Sequence, residues 1–180
     1  MRASSIFLFA ALLSLVFSVS AWANDRHCQA NIGENRATTP DSLFQQQANG
    51  TVVLPRENLQ WTQCALGQQA NGQFCEGRAT ALNWQDANAA VAELNANGGL
   101  AGFSDWRLPT REELEAIVER CREAPAVNER IFPNTPWAGF WSATIEESEE
   151  NQAWFVGFYR GLSYPFDKSA NYRVRLVRNP

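Results

Sequence analysis

The chain has 180 residues, with 15 Lys and Arg against 19 Asp and Glu for a formal net charge of −4, and a mean hydropathy of −0.33. That length suits one domain around a single hydrophobic core, and the acidic balance argues against nucleic acid as a partner. The one histidine, His27, stands near the start, and no His-Glu-x-x-His, nucleophile elbow or phosphate loop occurs, so metal-dependent and nucleophilic catalysis are poorly supplied.

Residues 1–23, MRASSIFLFAALLSLVFSVSAWA, combine an early cation (Arg2), an apolar run from Ile6 to Val19 and the small-residue exit Ala21-Trp22-Ala23. The pattern predicts a cleaved signal peptide, because an apolar run of about 14 residues falls short of the roughly 20 that span a bilayer. No second segment approaches that length, so the expected product is periplasmic or secreted, with no transmembrane segment after cleavage. Residues 24–58 are expected as an N-terminal extension and 59–180 as the domain.

All four cysteines, Cys28, Cys64, Cys75 and Cys121, follow the leader. An even count in an oxidising compartment argues for two disulfides, with three pairings open. Proximity across the loop ALGQQANGQF favours Cys64 with Cys75, which leaves Cys28 with Cys121. The second bridge closes a long loop and is worth roughly 4 to 5 kcal/mol in the chain-entropy account.

Along the chain, TVVLP and LQWTQC alternate as short strands, with Asn49-Gly50 as a turn before the first. NWQDANAAVAELNANGG predicts an amphipathic helix: Asn83 caps it, Trp84, Ala87, Val91 and Leu94 share a face, and Gly98-Gly99 ends it. Asp105, Trp106, Arg107 and Leu108 alternate as a short extended segment before Pro109. Thr110 then begins a second helix through a capping box with Glu113. Leu114, Ile117, Val118 and Cys121 fall on one face of that helix, which therefore carries the cysteine inward, while Glu112, Glu115 and Glu119 mark its wet side. FWSATI, AWFVGFYRGLSYPF and YRVRLVR read as antiparallel strands separated by EESEEN and DKSAN. Two helices packed on short twisted antiparallel strands make the class α+β.

Four blocks in order, GFSDWRLPTREELEAIV, NERIFPNTPWAGFWSAT, AWFVGFYRG and YRVRLVR, resemble the bacterial family named after the C-terminal domain of the Legionella collagen-like adhesin. The resemblance runs from about Leu59 to Arg178, and Cys28 with WTQCALGQQANGQFCEG resembles an exported subgroup of that family. ENLQW stands where such members carry a TGLMW-like strand. The resemblance implies a disulfide-stapled fold akin to C-type lectin-like and sulfatase-modifying-factor domains, and a recognition role in place of catalysis. The adhesin's own domain is associated with sulfated glycosaminoglycans but sits on a collagen-like stalk that this chain lacks.

Among individual residues, Trp84, Trp106, Trp141 and Trp154 are expected in the core. Trp137 differs, lying in the Pro- and Gly-flanked loop NTPWAGF, and with Phe140, Tyr159 and Tyr164 it forms a candidate aromatic rim. Residues 151–180 hold Arg160, Lys168, Arg173, Arg175 and Arg178 against Asp167 alone. Arg160, Lys168 and Arg173 are the candidates for an anionic ligand, whereas Arg107, Arg175 and Arg178 are expected in internal ion pairs with Asp105 or helix glutamates. Glu146, Glu147, Glu149 and Glu150 are weak calcium candidates, and no other cofactor is implied.

The leading expectation is an exported, non-catalytic recognition domain for a glycan, sulfated or otherwise anionic, or for an envelope partner. The alternatives are an enzyme of the sulfatase-modifying-factor type, which needs free cysteines close together, and a structural subunit of an envelope complex.

Overall fold

The computed structural model describes residues 37–180, so the leader, His27 and Cys28 lie outside the described residues. Strand β1 (Gln45–Gln46) turns at Gly50 into β2 (Thr51–Leu54), which pairs antiparallel with β3 (Leu59–Thr62) from Thr51 opposite Thr62 to Leu54 opposite Leu59. The described part of the expected extension thus contributes two strands to the sheet, and Val52 and Leu54 are buried in its core.

The loop after Cys64 is a hairpin of β4 (Gln69–Asn71) and β5 (Phe74–Glu76), with Gly72 at φ 60° opening a two-residue turn that a side chain would disfavour. Cys64 and Cys75 form the disulfide across it. Cys121 is also disulfide-bonded, and its expected partner Cys28 lies outside the described residues.

Helix α1 (Trp84–Ala96) begins at Asn83, whose side chain accepts from the Asp86 amide at 2.8 Å, and buries Ala87 and Val91. Its exit needs Gly99 at φ 74°, where a Cβ would sit 1.8 Å from the Phe103 carbonyl oxygen. The extended segment 105–108 then leads to Thr110. There the Glu113 amide donates to the Thr110 hydroxyl at 3.2 Å and the Glu113 carboxylate accepts from the Thr110 amide at 2.8 Å.

Helix α2 runs only from Arg111 to Ala116, shorter than the helical spacing to Cys121 predicts. Ile117 and Val118 are β-branched and buried, but Val118 bridges to Val127, and Cys121 sits half-buried in a turn. Glu119 is therefore not on a wet helix face. It is buried, and its carboxylate accepts from the amides of Thr38, Thr39 and Cys121 at 2.9, 2.8 and 3.0 Å and from both threonine hydroxyls. A continuing helix would hold that carboxylate away from residues 38–39, so the long-range contact wins over helical spacing. Burial pushes the Glu119 pKa up, but these hydrogen bonds outweigh it and leave the group below the ordinary glutamate range.

The last third gives β6 (Gly139–Ile145), β7 (Gln152–Gly157) and β8 (Leu162–Asp167) in an antiparallel sheet of that order. Of the closing run YRVRLVR, only β9 (Val177–Arg178) is a strand, pairing with β3 to complete the sheet β1-β2-β3-β9. The residues before it cross between the sheets by single bridges, Tyr172 to Leu82 and Arg173 to Phe140.

One core cluster joins Trp61, Leu114, Phe132, Phe140 and Phe158, and a second joins Trp106, Trp141, Val174 and Leu176. Trp84 and Trp154 are only partly buried. The Trp84 indole donates to the Ser142 carbonyl at 2.8 Å, while Trp154 carries the Arg111 guanidinium 4.4 Å above its ring. The architecture is α+β, built of small antiparallel sheets with two helices. No helix among the described residues is long and apolar enough to cross a membrane.

Candidate ligand-binding site

The loop 132–138 has no regular secondary structure, yet it is held from below and from the side. Phe132 is fully buried and meets Phe44 edge-on at 5.6 Å. The Thr135 hydroxyl donates to the Phe132 carbonyl at 2.7 Å and accepts from Arg175 Nη2 at 2.8 Å. Asn134 takes the left-handed conformation (φ 51°), which short polar side chains tolerate. Its carbonyl accepts from the Gln68 side chain at 3.2 Å and its Oδ1 from the Cys75 amide at 3.4 Å, which clips the loop to the stapled hairpin. With both flanks fixed, the Trp137 ring projects outward and is 66% exposed.

Trp137 and Ala138 form the ridge between two depressions. One, of about 650 Å³, lies between the hairpin and the loop and is lined by Gln68, Arg78, Glu129, Asn134, Thr135 and Arg173 among others. The other, of about 280 Å³, is lined by Gly139, Phe155, Tyr159, Arg160, Leu162 and Tyr164. Behind the second lies an aromatic network: Phe155 stacks on Tyr172 at 4.3 Å, and Tyr164 and Phe166 approach Phe155 at 6.0 and 6.2 Å. Gly139 makes room for it, since a Cβ there would stand 2.7 Å from Tyr172 Cδ1 and 2.8 Å from Phe155 Cδ2. One depression is polar and cationic and the other apolar, so the ridge can meet a ligand with two unlike faces.

Arg175 is fully buried beneath the polar depression. Its guanidinium donates to the carbonyls of Thr62 and Gln63 and to the Thr135 hydroxyl, and lies 4.7 Å from the Phe132 ring centroid. It is therefore structural, but among the described residues it has no ion pair: its partners are the carbonyl of Thr62 in β3, the carbonyl of Gln63 after it and the Thr135 hydroxyl, all neutral. Burial pulls its pKa down to about 9, which leaves it charged at neutral pH. Arg173 is half-buried, and its Nε has no hydrogen-bond partner.

A family model of the Lcl C-terminal domain matches residues 50–178. The chain belongs to the Lcl C-terminal domain family. No curated protein shows significant similarity to it.

The Lcl fold brings Trp137, Tyr159, Arg160, Tyr164 and Arg173 around the ridge and sends two other candidates elsewhere. Phe140 is fully buried, packed edge-on against Phe158 at 5.1 Å, so it belongs to the core and not to a rim; strand alternation after Gly139 turns it inward. Lys168 lies at the far end of the β7–β8 hairpin from Leu162, with its ammonium 4.9 Å above Trp84 and bonded to the Glu150 carbonyl at 2.5 Å. The basic C-terminal run is thus split between two ends of the sheet.

Arg107 makes a two-pronged contact with Glu113 at 2.7 Å for each bond, and Arg178 pairs with Asp105 at 2.7 Å. Glu146, Glu147, Glu149 and Glu150 occupy the β6–β7 turn, and among the described residues no three acidic, His or Cys side chains converge as a metal-binding group. Sequence reasoning missed Gln68, Arg78, Asn134 and the position of Arg175. The usable signal was the Cys64–Cys75 pairing, because Arg78 follows Cys75 by three residues and a staple there fixes it on the same wall as Gln68.

Proposed function

We propose that the protein is an exported, adhesin-like, non-catalytic recognition domain of C-type lectin-like fold that binds a glycan by stacking a sugar ring on Trp137. The carrying observation is a large aromatic ring two-thirds exposed on a fixed loop, with an apolar depression containing Tyr159 and Tyr164 on one side. Sugar rings present an apolar C–H face and a polar edge, and such ligands suit an exposed aromatic plane flanked by hydrogen-bonding groups. The disulfides fit an extracellular or surface location. A thiol-dependent oxidase would need free cysteines, and the described ones are all disulfide-bonded, which favours recognition over that chemistry.

The test is an array of sulfated glycans, neutral glycans and peptidoglycan fragments probed with wild-type protein and Trp137→Ala. Binding that the substitution abolishes supports the reading. Silence of the wild-type protein across the array overturns it and directs the search to an envelope protein partner.

A further inference from the structure

The turn 158–161, which carries Tyr159 and Arg160 into the smaller depression, joins β7 to β8. Its own hydrogen bonds close inward: the amides of Arg160 and Gly161 donate to the Gly157 carbonyl at 3.2 and 2.8 Å. Its outer carbonyls are satisfied from upstream, where the Ala126 amide donates to the Phe158 carbonyl at 2.6 Å and the Ala124 amide to the Tyr159 carbonyl at 2.9 Å. Gly161 is buried at φ 70°, and a Cβ there would overlap Val118 Cγ1 and stand 3.4 Å from Ala126 Cβ. The turn therefore rests directly on Val118 and Ala126. These residues are also where the N-terminal clamp ends. The Glu119 amide donates to the Ala126 carbonyl at 3.1 Å, and the Thr38 hydroxyl accepts from the Arg120 amide at 2.9 Å and reaches the Val118 carbonyl at 3.3 Å.

We propose that Glu119 is a positioning residue for the ligand rim: by fixing residues 118–126 between Thr38–Thr39 and the 158–161 turn, it sets where Tyr159 and Arg160 stand against Trp137. Residues 119–126 form neither helix nor strand, so no repeating backbone pattern holds them in one place. What holds them is the Glu119 carboxylate, which accepts from three amides and two hydroxyls and which only one arrangement of residues 38–39 and 119–121 satisfies. Cys121, disulfide-bonded and with its amide on Glu119 Oε1, is a second anchor for the same segment. The smaller depression takes one wall from the Trp137 loop and the other from this turn, and the Phe158 amide joins them at the base by donating to the Ala138 carbonyl at 2.9 Å. Its width therefore follows the turn. A continuous chain of contacts thus runs from Thr38 through Glu119 and Ala126 to Tyr159, although no group of the clamp lines the depression. The consequence for binding rests on the recognition reading above; the positioning rests on these contacts alone.

The experiment compares backbone amide order parameters and relaxation dispersion in the wild-type protein, Glu119→Gln and Thr38→Val, all well below their melting temperatures. These readouts report motion within the folded state, which a loss of global stability alone does not change. Thr38→Val removes one exposed hydroxyl and keeps the fold should Glu119→Gln fail to. In wild type the Arg160 and Gly161 amides are as rigid as the strands, with order parameters of about 0.85. In both variants they fall toward about 0.6 or show millisecond exchange, together with Ala124, while β6 and β7 keep their values. Loosening confined to residues 38–39 and 119–122, with the turn as in wild type, overturns the proposal, and so does equal loosening throughout β6, β7 and β8. On the glycan array both variants weaken severalfold the binding that Trp137 supports. Selective loosening of the turn with an array silent for wild type keeps the positioning and overturns the recognition reading. Trp137-dependent glycan binding that neither variant weakens, with an unmoved turn, does the reverse.

Discussion

Replacing Glu119 by glutamine tests how the N-terminal segment is held. Its Oε1 accepts from the Thr38 amide and hydroxyl and the Cys121 amide, and its Oε2 from the Thr39 amide and hydroxyl. An amide NH₂ fits best on the Oε2 side, where the Thr39 hydroxyl can rotate to accept it but the Thr39 N–H is left facing a donor. One buried unsatisfied amide costs about 1 to 3 kcal/mol, and three bonds that fall from charged to neutral lose about 0.5 to 1 kcal/mol each. The sum is about 2.5 to 6 kcal/mol, or roughly 5 to 24 °C in melting temperature for a protein of this size. Hydrogen exchange at the Thr39 amide should accelerate before the β6–β8 amides do, because the lost bonds tie residues 38–39 to the body. There is a matching acid signature. Glu119 and Glu113 both have folded-state pKa values below the unfolded value of about 4.3, so their stabilisation is complete above that pH and disappears as pH falls through it toward the folded-state values. The glutamine variant lacks the Glu119 share and so loses less stability between neutral and acid pH. Equal melting temperatures and equal Thr39 exchange in the two proteins would refute the clamp.

Trp106→Ala and Leu114→Ala should each destabilise by about 2 to 5 kcal/mol in denaturant melts, since both side chains are buried and Trp106 also donates to the Leu100 carbonyl at 3.0 Å; unchanged midpoints would contradict the core assignment. Trp137→Ala should move stability by no more than about 0.5 kcal/mol, because its ring is exposed, and a larger loss in thermal melting would mean the ring supports the loop. Gly139→Ala should displace the stacked Phe155 and Tyr172 rings by overpacking, at about 1 to 3 kcal/mol, and should change near-ultraviolet circular dichroism; a spectrum identical to wild type would show that the stack can give way freely.

What could be read from the sequence was what a few neighbouring residues decide. The start of α2 is legible because Thr110 and Glu113 satisfy each other three residues apart, and the start of α1 because Asn83 does the same for Asp86. The end of α2 is not, because it depends on Glu119 meeting residues about 80 positions upstream. Trp137 is legible as exposed from the prolines and glycine around it. Phe140, three residues on, is not, since which face of β6 is inward depends on pairing with Val156 of β7. The arginines of the closing run show the same limit. Arg173, Arg175 and Arg178 stand within six residues, yet one lines a depression, one is sealed under a loop and one pairs with Asp105. Charge counting saw their sum and not their separation.

The Trp137 loop is held by groups that are distant in sequence, and this bears on the proposed binding there. Arg175 ties Thr135 to the carbonyls at the end of β3, while Asn134 ties the loop to a hairpin closed by the Cys64–Cys75 bond. An aromatic ring presented on such a support loses little conformational freedom when a ligand stacks on it, so more of the contact energy appears as affinity. The same construction makes the larger depression a composite: its hairpin wall carries Arg78 and Gln68, and its loop wall carries Thr135 and Trp137. Neither wall folds a pocket alone, and the two are joined chiefly by Asn134. On the proposed reading, binding at the ridge would therefore depend on the oxidised hairpin even though neither sulfur need touch the ligand, which would couple recognition to an oxidising environment through position and not through chemistry.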